Sequence, residues 1–200
     1  MTRWYRERKE DYFYRKAKKE GYRARSSFKL KQIQQRFNII HRNDTIVDLG
    51  AAPGGWSQVA LELVGPNGLV IGVDLDMIQP ISNVIFIQGD ITNPETINRI
   101  KNAIGDKTAD VVLSDMSPDI SGIYSIDHAR SVYLCEKALE VARELLRDGG
   151  NFVCKIFMGS EYENFIKEVK RWFNQVKPFT PPASRRSSSE TYIIAKNFKR

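Results

Sequence analysis

The sequence predicts an α/β protein, a mostly parallel sheet with helices on both faces. Three observations predict it. Short apolar runs recur from Thr45 onward, helix-period segments separate most of them, and the first run ends in a glycine-rich turn that opens a helix.

Before Asp44 the chain reads as two helices, the second over Ser26–Phe37 with Ser26 as its N-cap. Strands are expected at Thr45–Leu49, Leu69–Asp74, Val84–Gln88, Asp110–Ser114, Phe152–Phe157, Val176–Phe179 and Thr191–Ala195, each a short apolar or β-branched run. Helices are expected at Trp56–Val64, Pro94–Ile104, Ser125–Leu146 and Glu161–Phe173. A shorter gap follows Ile78. Asp148-Gly149-Gly150 reads as a helix stop and turn before the fifth strand. Pro181–Ser189, rich in Pro and Ser, reads as a mobile loop. The chain thus divides into a basic helical arm, residues 1–43, and a sheet domain, residues 44–200.

Composition fits this architecture. The chain has 200 residues, 42% hydrophobic and 28% charged, enough for a sizeable core. No run approaches the roughly 18 apolar residues of a membrane span. The basic start has no apolar segment behind it, so it is not a secretory signal. Cys135 and Cys154 are too few for a disulfide framework or a zinc site. A cytoplasmic protein with no membrane contact and no metal is expected. Charge is unevenly placed: residues 1–36 carry 13 Lys and Arg against 4 Asp and Glu, whereas the whole chain is only +7. Trp4, Tyr5, Tyr12, Phe13, Tyr14, Tyr22 and Phe28 are interleaved with those cations. Cations for phosphates beside aromatic faces for bases make an RNA contact. The alternative is a solvated helix whose aromatics pack back on the domain. Arg185, Arg186, Lys196, Lys199 and Arg200 form a smaller basic group.

Asp48-Leu49-Gly50-Ala51-Ala52-Pro53-Gly54-Gly55-Trp56 points to a cofactor. A strand that ends in a glycine turn before a helix lets backbone approach a nucleotide-like ligand without a Cβ in the way. The run lacks the G-x-G-x-x-G of dinucleotide sites and the lysine of phosphate loops. It resembles the first motif of S-adenosylmethionine-dependent methyltransferases. Acids stand at the ends of four predicted strands, Asp48, Asp74, Asp90 and Asp115, and ligands of open parallel sheets lie beyond those ends. Asp74 is placed to accept from the cofactor's ribose hydroxyls and Asp90 from its adenine amino group. Gly50, Gly54 and Trp56 complete the expected cofactor contacts, with core packing the alternative for Trp56. Met77 is a candidate lining of the adenine pocket. His41 and His128 stand alone, with no partner for catalysis.

Lys155 interrupts Phe152-Val153-Cys154-Lys155-Ile156-Phe157, a strand expected to be central and buried. A buried ammonium is expensive unless it is paired or loses its proton. Asp115, at the end of the preceding strand, is the natural partner, and snorkelling to solvent is the alternative.

With Lys155 and Asp115 come Lys29 and Glu190, in the contexts Arg25-Ser26-Ser27-Phe28-Lys29-Leu30, Ser114-Asp115-Met116-Ser117-Pro118, Lys155-Ile156-Phe157 and Ser189-Glu190-Thr191-Tyr192. Together with Asp48–Trp56, this set resembles the FtsJ family of ribosomal RNA 2'-O-methyltransferases and their Lys-Asp-Lys-Glu tetrad, from about Tyr22 to Ala195. The resemblance implies a Rossmann-like, seven-stranded methyltransferase sheet with an antiparallel last strand, S-adenosylmethionine as cofactor and monomeric action. It implies a uridine ribose of large-subunit ribosomal RNA, or of the assembled subunit, as target. Lys29, Asp115, Lys155 and Glu190 are then catalytic, with Lys155 as general base, Asp115 orienting it and also close to the cofactor, and Lys29 and Glu190 as supports. Asp119 departs from the neutral residue expected there. A transfer-RNA anticodon loop or an mRNA cap is the alternative target. A non-catalytic RNA-binding protein on this fold would explain the arm but not the buried lysine.

Overall fold

The computed structural model describes residues 12–185 and 188–200. The stretch with Arg3, Trp4 and Tyr5, and likewise Arg186 and Ser187, lie outside the described residues. The seven apolar runs become β1 (Thr45–Leu49), β2 (Leu69–Asp74), β3 (Val84–Gln88), β4 (Ala109–Ser114), β5 (Leu146–Phe157), β6 (Phe173–Phe179) and β7 (Glu190–Phe198) of one sheet. Their order is β3-β2-β1-β4-β5-β7-β6. All neighbours pair in parallel except at β7, which runs antiparallel to both β5 and β6. The expected mostly parallel, seven-stranded sheet with an antiparallel last strand is therefore found. Order reverses between β1 and β4, which opens a crevice beyond their carboxyl ends.

Six helices are described: α1 (Tyr12–Glu20), α2 (Ser27–Phe37), α3 (Gly55–Val64), α4 (Pro94–Ile104), α5 (Tyr124–Leu145) and α6 (Tyr162–Trp172). Helix α4 shows why they form where they do. Asn93 caps it by accepting from the Glu95 N–H at 2.9 Å, Pro94 opens the first turn, and Ile97, Ile100 and Ile104 recur on one buried face. These isoleucines join α5 and α6 in the larger apolar layer on one face of the sheet. Leu30 and Ile33 of α2, with Trp56, Val59, Ala60 and Val64 of α3, form the layer on the other. Burying each such side chain is worth about 1.5–3 kcal/mol.

Three expectations are corrected. Ser26 occupies the position before α2 in a helical conformation, and its side chain makes no capping bond. Asp148-Gly149-Gly150 lies inside β5 rather than ahead of it. Leu146 already pairs with Ala109, and the register then shifts between Ala109 and Val111 to absorb the glycines as a bulge. Of Pro181–Ser189, expected as a mobile loop, the described stretch Pro181–Arg185 is held at Ala183, which is fully buried. The Ala183 N–H donates to Gln32 Oε1 at 2.9 Å, and its carbonyl accepts from the Arg25 guanidinium at 2.5 Å.

In the basic arm, Phe13, Ala17, Tyr22 and Phe28 pack together with Ala183, while Tyr12 stays 59% exposed. Phe13, Tyr22 and Phe28 thus follow the packing alternative. No helix among the described residues is long and apolar enough to cross a membrane.

Candidate active site

The pairing of β5 with β4 and β7 brings the tetrad together. Lys155 is 8% exposed. Its Nζ donates to the Asp115 main-chain carbonyl at 2.7 Å and lies 3.2 Å from Asp115 Oδ1. Tyr192 stands directly opposite Lys155 in the β5–β7 register, and its hydroxyl donates to the same Oδ1 at 2.6 Å. Glu190, two residues away and therefore on the same face of β7, forms a short ion pair with Lys29 Nζ. Lys29 also sits 5.7 Å from the centre of the Tyr192 ring. The four expected residues thus make two ion pairs with Tyr192 lodged between them.

Burial and charge act on these groups in opposite senses. Burial pushes the Glu190 carboxyl up, but the charge and hydrogen bond of Lys29, helped by Lys155 and Ser184, outweigh it and hold it below the ordinary value. Burial, with the charges of Asp115 and Glu190, drives the Tyr192 phenol well above its usual range, so it remains a donor. Tyr192 was missed in the sequence. The available signals were its spacing of two from Glu190 on a predicted strand and its place in the Ser189-Glu190-Thr191-Tyr192 stretch.

The cofactor residues divide into two groups. Gly50, Asp74, Asp90 and Asp115 line a cleft of about 490 Å³ at the carboxyl edge of β1–β4, with Val73, Leu75, Ile91, Met116, Tyr133 and Leu134 as its apolar walls. Gly50 has φ +72°, and a Cβ there would meet Met116 Cγ at 2.4 Å, so the loop closes on Met116 only with glycine. Asp74 accepts from the Ala52 N–H at 2.8 Å and the Asp76 N–H at 3.0 Å, tying the glycine loop to the end of β2. Asp48, Gly54 and Trp56 do not line the cleft. Trp56 is 2% exposed; its indole N–H donates to the Ser26 carbonyl at 2.8 Å and its ring stacks on Tyr192. Gly54, at φ +112°, turns the chain into α3. Asp48 is fully buried, with Oδ2 accepting from Ser57 Oγ at 2.7 Å and Oδ1 unpartnered. Burial pushes its carboxyl up to about 7; the Ser57 hydrogen bond opposes this, and the charges of Asp115 and Asp74 add to it. Met77 is 81% exposed and is not among the lining residues.

S-adenosylmethionine fits this donor set. It presents hydroxyls, an amino group and two cationic centres, and the lining offers four carboxylates, Asp74, Asp76, Asp90 and Asp115, beside Lys137. A pyrophosphate-bearing dinucleotide would meet those carboxylates as like charges.

The model of the FtsJ-like methyltransferase family matches residues 22–198. The chain belongs to the FtsJ-like methyltransferase family. Relatives include Ribosomal RNA large subunit methyltransferase E of Methanothrix thermoacetophila, 55% identical over 93% of this chain and 72% of that protein. The protein of the same name from Methanobrevibacter smithii is 49% identical over 99% of this chain and 95% of its own. A Plasmodium falciparum structure assigned as a ribosomal RNA methyltransferase superposes with a TM-score of 0.80 at 30% identity, covering 88% of this chain and 98% of that one. In this FtsJ-like methyltransferase a further residue holds the loops of the site. Arg23 donates to the carbonyls of Pro53 at 3.1 Å, Gln79 at 2.5 Å and Pro80 at 2.8 Å, clamping the glycine loop to the segment after β2. Nothing in the sequence around Arg23 signals this role.

Proposed function

We propose that this methyltransferase moves a methyl group from S-adenosylmethionine to the 2'-hydroxyl of a uridine ribose in large-subunit ribosomal RNA. One observation carries the reading: a nearly buried lysine, Lys155, is held by Asp115, which itself lines an acidic, nucleoside-sized cleft. The cofactor, when bound, supplies an electrophilic sulfonium methyl group. A 2'-hydroxyl is a poor nucleophile until its proton leaves, and the Lys155 amine is the group placed to take that proton. The oxygen then forms the O–CH3 bond as the C–S bond breaks, and the new ammonium is stabilised by Asp115 Oδ1 and the Asp115 carbonyl. Tyr192 fixes Asp115 from the other side. Lys29 and Glu190 support the ribose, and much of the acceleration is positioning.

The names of the relatives support ribosomal RNA as substrate, and the described part of the arm, residues 12–43, supplies exposed lysines and Lys29 to hold it. The test is methyl transfer from isotopically labelled cofactor to ribosomal RNA, followed by nuclease digestion and mass spectrometry. Label at the 2'-oxygen of uridine is expected. Label on a base, or none on RNA while another substrate is methylated, would overturn the reading.

A further inference from the structure

Lysines unrelated to the tetrad gather on the β6 side of the sheet. Three adjoining clefts, of about 600, 410 and 200 Å³, share Lys177 as a common wall. Two of them are lined by Arg36, Phe37, Phe179, Gln175 and Lys196, and the third extends to Lys170 and Lys199. Among the described residues, no Asp or Glu lines any of the three. Among the described residues, no ion pair to a carboxylate is found for Lys170, Lys177 or Lys199, which are all exposed. Arg36 stacks over Phe37 and Phe179, at 5.8 and 5.5 Å from their ring centres.

Register ties these clefts to the tetrad. Residues directly opposite in paired strands share a face of the sheet. Lys155 faces Tyr192, and Tyr192 faces Phe179; one step along the same face, Val153 faces Ile194 and Ile194 faces Lys177. Gln175 faces Lys196 one step further. Lys177 and Phe179 therefore lie on the catalytic face of the sheet, about 10 Å, two strand spacings, from the strand that carries Lys155.

We propose that this cationic trench receives the sugar–phosphate backbone of the RNA strand flanking the methylated nucleotide. Lys177, Lys199 and Lys170 meet phosphates, Lys196 being held by the Phe37 carbonyl at 3.0 Å, and the Arg36–Phe37–Phe179 cluster offers a face to an unstacked base. Lysine and proline on an edge strand also block sheet-to-sheet pairing, and Lys177 and Pro178 serve that purpose too. Edge protection does not call for an arginine laid over an edge-to-face pair of aromatic rings, nor for an acid-free wall continuing to Lys199.

The proposal rests on RNA as the substrate of the Lys155 site, and the test separates the two. Full-length wild type and Lys177→Gln/Lys199→Gln are titrated with a ribosomal RNA fragment containing a methyl acceptor across a salt series, and methyl transfer is measured alongside. Each neutralised contact to a single strand lowers the slope of log affinity against log salt by about 0.7, so the double variant should lose about 1.4. KM for RNA should rise while kcat at saturating RNA and cofactor affinity stay unchanged. An unchanged salt slope and KM, with self-association of the variant in sedimentation, would reduce these lysines to edge protection and overturn the proposal. A reduced slope without any methyl transfer to RNA by the wild type would uphold the trench and overturn the reading of the Lys155 site.

Discussion

Tyr192→Phe is the sharpest probe of the site, because it deletes one oxygen atom and leaves the ring. The ring stays stacked on Trp56 and beneath Lys29, whereas Asp115 Oδ1 loses a donor at 2.6 Å. A hydrogen bond to a charged group is worth roughly 1.5–3 kcal/mol, more than a neutral pair. Asp115 keeps Lys155 at 3.2 Å, so the carboxylate remains paired and the fold survives. Unfolding in urea should show a loss of about 1.5–3 kcal/mol in stability. Single-turnover methyl transfer should slow by roughly tenfold to a hundredfold, because each 1.36 kcal/mol of orientation lost from the transition state is a factor of ten. Cofactor affinity, read by calorimetry, should move less, since Tyr192 is not among the cleft-lining residues. If Tyr192→Phe were as stable and as fast as the wild type, the phenol would not be orienting Asp115, and the picture of two ion pairs locked through one ring would fail.

Other perturbations test neighbouring parts. Lys155→Ala and Lys155→Arg should both abolish methyl transfer while cofactor and RNA still bind, because guanidinium keeps its proton; full activity in Lys155→Arg would leave a positive anchor in place of a base. Asp74→Ala should weaken S-adenosylmethionine at least about tenfold in calorimetry, losing charged hydrogen bonds and freeing the Ala52 N–H that the carboxylate holds. The Asp48 carboxyl titrates near 7 when folded against 3.8 when unfolded, so the folded chain holds an extra proton between those values. Stability should therefore fall as pH rises from about 4 to about 7 and level off above, a change of a few kcal/mol that Asp48→Asn flattens in urea unfolding at pH 5 and pH 8. Charge reversal at Lys16, Lys18 and Lys19 of α1 should weaken RNA binding and its salt dependence with cofactor affinity intact; unchanged RNA affinity would make the arm a packing element.

Patterns with a period were legible in the sequence, and contacts between distant elements were not. The five parallel strands and the helices between them announced themselves through apolar runs and helix-period segments, with ends found within a residue of their places except at β5, which begins at Leu146 instead of Phe152. Lys155 stood out because a cation in a buried strand violates the pattern around it, and Asp115 followed from strand order. Lys29 and Glu190 came from resemblance alone. Nothing local says that a residue before the sheet and one on its antiparallel strand meet in an ion pair. Trp56 shows the same limit from the other side. Its place after the glycine loop read as a ligand contact, but an indole N–H with a carbonyl at 2.8 Å and a ring with Tyr192 beneath it lie behind the cleft. The bulge at Asp148-Gly149-Gly150 was hidden because glycines that end a helix and glycines that bend a strand look alike in sequence.

The place of β7 between β5 and β6 sets an order of events for the nascent chain. Synthesis delivers β5 and β6 first, yet neither can reach the other until a strand made later slides between them. Until then β5 ends the sheet, β6 has no partner strand, and Lys155 lacks Tyr192 across from it. The residue that steadies Asp115 and the one that neutralises Lys29 both arrive on that final strand. Assembly of the sheet and pairing of Asp115 and Lys29 with β7 are thus a single closing step, and a chain interrupted after β6 would leave both without those partners.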